Sequence, residues 1–170
     1  EHAPAYLNPP SELIPNVKKL ISAFRNSGRP IVFTRHAHTS DTMNGEMARW
    51  WNGELPMEGD GYSELIETLN PTSEDTILVK TKYSAFEDTT LDEMLRSQGV
   101  DTVIICGIMT NLCVETTARH AFMKDFHVIL VDDACATKNR AYHEASILNL
   151  SYGFADIEIM ENILKSLQNT

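Results

Sequence analysis

TVIICGIMTNLCVETTARHAF, residues 102–122, decides how this chain folds. The run Val103-Ile104-Ile105-Cys106 reads as a strand covered on both faces, Gly107 opens a sharp turn, and a helix starts almost on top of Cys113. A helix N-terminus carries partial positive charge and unpaired backbone N–H groups. Both stabilise a thiolate, the nucleophilic form of cysteine. Cys113 is therefore a candidate for covalent catalysis, against the competing reading of a small buried hydrophobe. Cys106, inside the apolar run, reads as packing. So does Cys135, in Asp132-Asp133-Ala134-Cys135 just after another strand.

The same alternation extends outward on both sides. Pro15 suits a first helical turn; Val17, Leu20, Ile21 and Phe24 follow at helical spacing, and Gly28 ends the helix. Pro30 to Thr34 is a short apolar strand, and Thr76 to Val79 another. Leu91, Met94 and Leu95 mark a helix ended by Gly99. Val128 to Val131 reads as a strand, Ala141 to Leu150 as a helix, and Ile157 to Ile159 as a last strand before a closing helix with Ile163, Leu164 and Leu167. Strands alternating with helices imply right-handed βαβ units and a parallel sheet. Sites in such sheets lie at the carboxyl ends of strands, here Arg35 to His38, Lys80 to Ser84, Gly107 to Cys113 and Asp132 to Ala134. Cys113 falls on that edge.

The chain has 170 residues, 42% hydrophobic, which suits one domain (1–170) with a substantial core. Three cysteines make an odd number in a chain too long to need staples, so a reducing, cytoplasmic setting is expected. A formal net charge of −10, with charges scattered and no basic stripe, argues against nucleic acid and anionic membranes as partners. No apolar run is long enough to span a bilayer. Residues 36–60 form a long irregular connection with Met43, Met47, Trp50, Trp51 and Met57, either a binding lid or a satellite cluster packed on the domain.

Lys80 closes its strand in Lys80-Thr81-Lys82-Tyr83-Ser84-Ala85-Phe86. A cation beside Cys113 would favour its thiolate and stabilise a later oxyanion. Two lysines flank this position, and elementary electrostatics does not choose between them.

KTKYSAF at 80–86 together with GIMTNLCVETTARHAF at 107–122 resembles the isochorismatase-like cysteine hydrolases, as do Asp132-Asp133-Ala134-Cys135 and His143-Glu144-Ala145. The resemblance runs from about Ser11 to the C-terminus. It implies an α/β fold, a three-layer αβα sandwich around a mostly parallel, Rossmann-like sheet, and an Asp-Lys-Cys triad. The nucleophile falls on Cys113 and the triad lysine on Lys80, with Lys82 a neighbour. A non-proline cis peptide would fall between Ile108 and Met109. It would turn the Met109 N–H toward the Cys113 N–H to form an oxyanion hole. Homo-oligomers are common in the family, so one is expected.

The triad aspartate is the departure. In the family it ends a first, central strand, whereas Glu1 to Pro10 here resembles the segment just after that strand. The expectation is that a segment of roughly two dozen residues, a strand plus a loop, precedes the sequence. Thr34-Arg35-His36-Ala37-His38 resembles the position where nicotinamidases of the superfamily carry an Asp-x-His metal pair, with His36 replacing the aspartate. No further histidine or carboxylate pattern follows nearby. Neither metal nor cofactor is expected, and His36 and His38 are read as substrate-contacting or solvated. Trp50, Trp51 and Tyr83 are candidate pocket walls; Phe86 is a weaker one, with core packing the stronger reading. The implied activity is hydrolysis of a small-molecule C–N amide through a Cys113 thioester. The alternatives are vinyl-ether cleavage by a true isochorismatase, which needs no cysteine, and a non-catalytic binding module.

Overall fold

The computed structural model of the chain describes residues 9–168. Its elements alternate as α1 (Leu13–Asn26), β1 (Val32–His36), α2 (Glu46–Trp50), β2 (Thr76–Lys80), α3 (Leu91–Ser97), β3 (Thr102–Ile108), α4 (Glu115–Met123), β4 (His127–Ala136), α5 (Arg140–Gly153), β5 (Asp156–Glu158) and α6 (Met160–Gln168). The segment resembling the chain that follows the family's first strand lies mostly outside the described residues. Among them, no helix is long and apolar enough to cross a membrane.

Every strand pairing is parallel: β1 with β2, β3 with β4, and β4 with β5. The strands form two sheets, β1-β2 and β3-β4-β5, with no ladder joining them among the described residues. Helix α1 ties the two together. Its Arg25 pairs with Asp75 at the foot of β2 at 2.6 Å, and its Asn16 amide donates to the Asp133 carbonyl in β4 at 2.8 Å.

The helices cover both faces, giving three layers. On one side Leu91 and Leu95 of α3, Ala118 and Ala121 of α4 and Leu150 of α5 bury against Val128 and Leu130. On the other, Leu20 of α1 and Met160 and Ile163 of α6 meet Val131 and Ala134. Leu130 and Leu150 are fully buried, so truncating either to Ala costs about 2–5 kcal/mol. Helix α1 ends where expected: Gly28 takes φ +65°, and the Arg29 N–H reaches back to the Phe24 carbonyl at 3.1 Å.

Two boundaries differ from the sequence reading in ways that shape the site. Strand β1 starts at Val32 and runs to His36, which pairs with Lys80 and so brings the first histidine into the sheet. Strand β4 does not stop at Val131 but continues to Ala136. Its pairing with β3 jumps from Ile105↔Leu130 to Gly107↔Cys135, so extra residues of β4 bulge out there. Asp132 and Asp133 sit in the bulge. They are strand residues re-aimed by it, rather than a loop after the strand.

Candidate active site

Strand β2 ends on a buried ammonium. Lys80 is 4% exposed, and burial of a charge demands partners. Its Nζ donates to the Lys82 carbonyl at 2.8 Å and lies 3.3 Å from the Cys113 sulfur. The side chain of Lys82 instead runs to the 36–60 connection, within 3.7 Å of where a Cβ on Gly45 would stand. Of the two lysines, the geometry brings Lys80 to the thiol.

Cys113 sits in a π-helical turn, Thr110–Val114, inserted between β3 and α4. The peptide entering it, Ile108–Met109, is cis. Within the turn the Leu112 and Val114 N–H groups both donate to the Met109 carbonyl, at 3.1 and 3.2 Å. Asn111 accepts a hydrogen bond from Thr137 just past β4. At the start of α4, Glu115 accepts from Ser146 of α5 at 2.6 Å and pairs with Arg119 at 2.7 Å. The cysteine is thus carried by a turn fastened to two neighbouring elements. Cys113 itself is partly exposed.

The other thiols are placed differently. Burial pushes Cys106 up to about 11. Cys135 is also pushed well up, by burial first and then by Cys106. Both are held as neutral thiols.

The segment after Lys80 is locked onto α4. The Phe86 N–H donates to the Ser84 hydroxyl at 3.1 Å, and that hydroxyl also hydrogen-bonds His120 Nδ1 at 2.8 Å. The Ala85 N–H reaches Thr117 at 3.0 Å. Phe86 is core, 5.7 Å ring to ring from Phe126. Tyr83 turns instead to the 36–60 connection, where Trp51 Nε1 donates to its hydroxyl at 2.8 Å. Burial raises the Tyr83 phenol above its ordinary value. Trp50 is 65% exposed and turns away from this contact.

His36 and His38 face one another, Nε2 to Nε2 at 2.8 Å. The Thr42 hydroxyl donates to the Thr39 carbonyl, so it accepts from His38 Nδ1–H at 3.1 Å. That leaves His38 Nε2 as the acceptor and His36 Nε2–H as the donor. Burial first, then the Lys80 charge, lowers His36 to about 3; burial also lowers His38. Both rings are neutral. As metal ligands they fit poorly: the two Nε2 atoms are engaged with each other, and the Lys80 charge stands nearby. Among the described residues no group of three or more His, Cys, Asp or Glu gathers to complete a cage.

Most of the chain is similar to known proteins of one family. The isochorismatase domain family matches residues 4–161. A nicotinamidase of Arabidopsis thaliana, "Nicotinamidase 3", is 42% identical over 157 residues, covering 91% of this chain and 79% of that protein. Among solved structures, a cysteine hydrolase from Pseudomonas syringae superposes with a TM-score of 0.89 at 28% identity, covering 94% of this chain and 81% of its own. An N-carbamoylsarcosine amidase from Thermoplasma acidophilum does so with 0.77 at 33% identity, over 88% and 83%. The chain belongs to the isochorismatase family.

Proposed function

We propose that this protein hydrolyses a C–N amide bond of a small molecule through a thioester on Cys113. The observation that carries the reading is the 3.3 Å approach of the buried Lys80 ammonium to the Cys113 sulfur. The relatives add to it: one is named a nicotinamidase and another an N-carbamoylsarcosine amidase, both amide-cleaving enzymes.

The steps are those open to a thiol beside a buried ammonium. The Cys113 sulfur attacks the amide carbonyl carbon, and the carbonyl π pair moves onto oxygen. The N–H groups of Met109 and Cys113 receive that oxyanion, an interaction that strengthens as charge develops. Collapse breaks the C–N bond, and the amine leaves with the proton taken earlier from the Cys113 thiol. Water then attacks the thioester and releases the acid and the thiol. Lys80 holds the thiolate before attack. In the family's arrangement the base that first takes the thiol proton is an aspartate on a central strand.

Tyr83, held by Trp51, and the neutral pair His36 and His38 offer the polar and aromatic surface around the reacting bond. A neutral imidazole suits an uncharged amide better than an anion.

A panel of small amides (nicotinamide, maleamate, biuret and carbamoyl compounds) assayed for ammonia release tests the reading. Turnover by the parent protein and none by Cys113→Ala is expected. Pyruvate release from isochorismate, retained in Cys113→Ala, would instead favour the vinyl-ether chemistry.

A further inference from the structure

Beside the thiol lies a second chain of polar groups that the proposed chemistry does not use. Asp132, in the β4 bulge, accepts at Oδ1 from His143 Nε2 across 2.7 Å. The other ring nitrogen, Nδ1, lies 3.0 Å from the Thr110 hydroxyl. A carboxylate accepts only, so Nε2 carries the ring proton and Nδ1 is left to accept from Thr110. Three elements meet in this line: the β4 bulge, the first turn of α5, and the turn that carries Cys113. The start of α5 is itself fixed, because the Asn139 side chain accepts from the Tyr142 N–H at 2.9 Å.

The order carboxylate, imidazole, hydroxyl is that of a nucleophilic triad. Thr110, however, is 0% exposed, so no substrate reaches its oxygen. The chain cannot act by attack. What it can do is hold. Thr110 follows Met109 directly, and the Met109 carbonyl is already fixed by the Leu112 and Val114 N–H groups. Fixing the next side chain leaves the Met109–Thr110 peptide little freedom to rotate, and so holds from its far side the Met109 residue whose N–H lies in the preceding peptide.

We propose that Thr110, His143 and Asp132 are positioning residues that orient the Met109 and Cys113 N–H groups toward the oxyanion. The inference rests on the Cys113 reading above, and it adds residues to it. Oxyanion donors lose their effect when misaligned by a few tenths of an ångström or some ten to twenty degrees, so their support has to be rigid. Since the donors act on the developing charge, loosening them lowers kcat more than it raises KM.

The test uses the full-length protein and whichever of nicotinamide, maleamate or biuret releases ammonia fastest. Thr110→Val removes the donor while keeping volume; Thr110→Ser keeps the hydroxyl; His143→Gln interrupts the chain. Thr110→Val and His143→Gln are expected to lose about 10- to 100-fold in kcat, short of deleting a donor outright, with KM within about threefold. Thr110→Ser is expected to stay within about threefold of the parent, because the hydroxyl to Nδ1 bond survives. Alkylation of Cys113 by iodoacetamide, which develops no oxyanion, should proceed at the parent rate in all three. Unchanged kcat in Thr110→Val would overturn the proposal. So would a parallel fall in alkylation rate, which would mean the turn as a whole had been damaged. Cys113→Ala run alongside separates the two readings: retained turnover there overturns the nucleophile and this inference together. Lost turnover there with unimpaired Thr110→Val overturns the inference alone.

Discussion

The Lys80 ammonium and the Cys113 sulfur lie 3.3 Å apart although they come from different sheets, one from the end of β2 and the other from the turn after β3. Two lysines were candidates for this place, and substitutions distinguish their roles. Lys80→Met should lower kcat/KM by about 10²- to 10³-fold, the scale of losing one preorganised charge-stabilising group. Lys82→Met, whose side chain lies along the 36–60 connection, should stay within about fivefold, as for a partly solvated charge. Equal losses would show that the contact is not the catalytic one.

Thiol reactivity should be confined to one cysteine. Cys106 and Cys135 are held neutral by burial, whereas Cys113 is partly exposed beside an ammonium. At pH 7.5, iodoacetamide followed by peptide mass mapping should label Cys113 first, with the other two reacting only on unfolding. Comparable labelling of all three in the native protein would contradict the placement.

How much of this was readable beforehand can be followed residue by residue. The strand, turn and helix around Cys113 were visible because apolar runs and glycines are local signals. The choice between Lys80 and Lys82 was not legible in the local pattern, since both lie in one short stretch and only the point where β2 ends separates their directions; the family resemblance alone pointed to Lys80. Asp132 and Asp133 were placed after their strand because the apolar pattern breaks there. The strand continues through a bulge whose existence depends on β3 pairing from more than twenty residues away. The Thr110–His143 bond had no local signal either: its partners are 33 residues apart. The His36–His38 contact was missed for a subtler reason. Alternate residues of one strand share a face, but here the chain leaves the sheet after His36, and the bridge between His38 and Met57 turns the second ring back on the first.

If the 36–60 connection is a binding lid, a further prediction follows. Tyr83→Phe leaves the Trp51 indole N–H without its 2.8 Å acceptor. Losing a bond worth about 0.5–1.5 kcal/mol should raise KM about 3- to 10-fold with a smaller change in kcat. Trp50→Ala, at a side chain 65% exposed, should change KM less than about twofold, the scale of a surface substitution. A larger effect at Trp50 than at Tyr83 would mean that the lid closes on substrate in another orientation.

Stability should fall on mild acidification, and His36 should be a main cause. Its ring titrates near 3 in the folded protein against an ordinary value of 6.5. Between those values the unfolded chain binds a proton that the native one does not. The contribution is therefore complete above pH 6.5 and is lost as pH falls through the window, by at most about 1.4 kcal/mol per pH unit. Urea unfolding at pH 7.5 and pH 5 should show His36→Asn losing less stability than the parent, by up to about 2 kcal/mol. Equal losses would assign the acid sensitivity elsewhere.

The covalent role of Cys113 is the claim on which the rest depends. Its most direct test is acid quenching during turnover of an active amide, with the intact mass and the Cys113 peptide then read by mass spectrometry. The account predicts an acyl adduct on Cys113 in the parent, and neither adduct nor ammonia release in Cys113→Ala. Ammonia release at the parent rate from Cys113→Ala would contradict it.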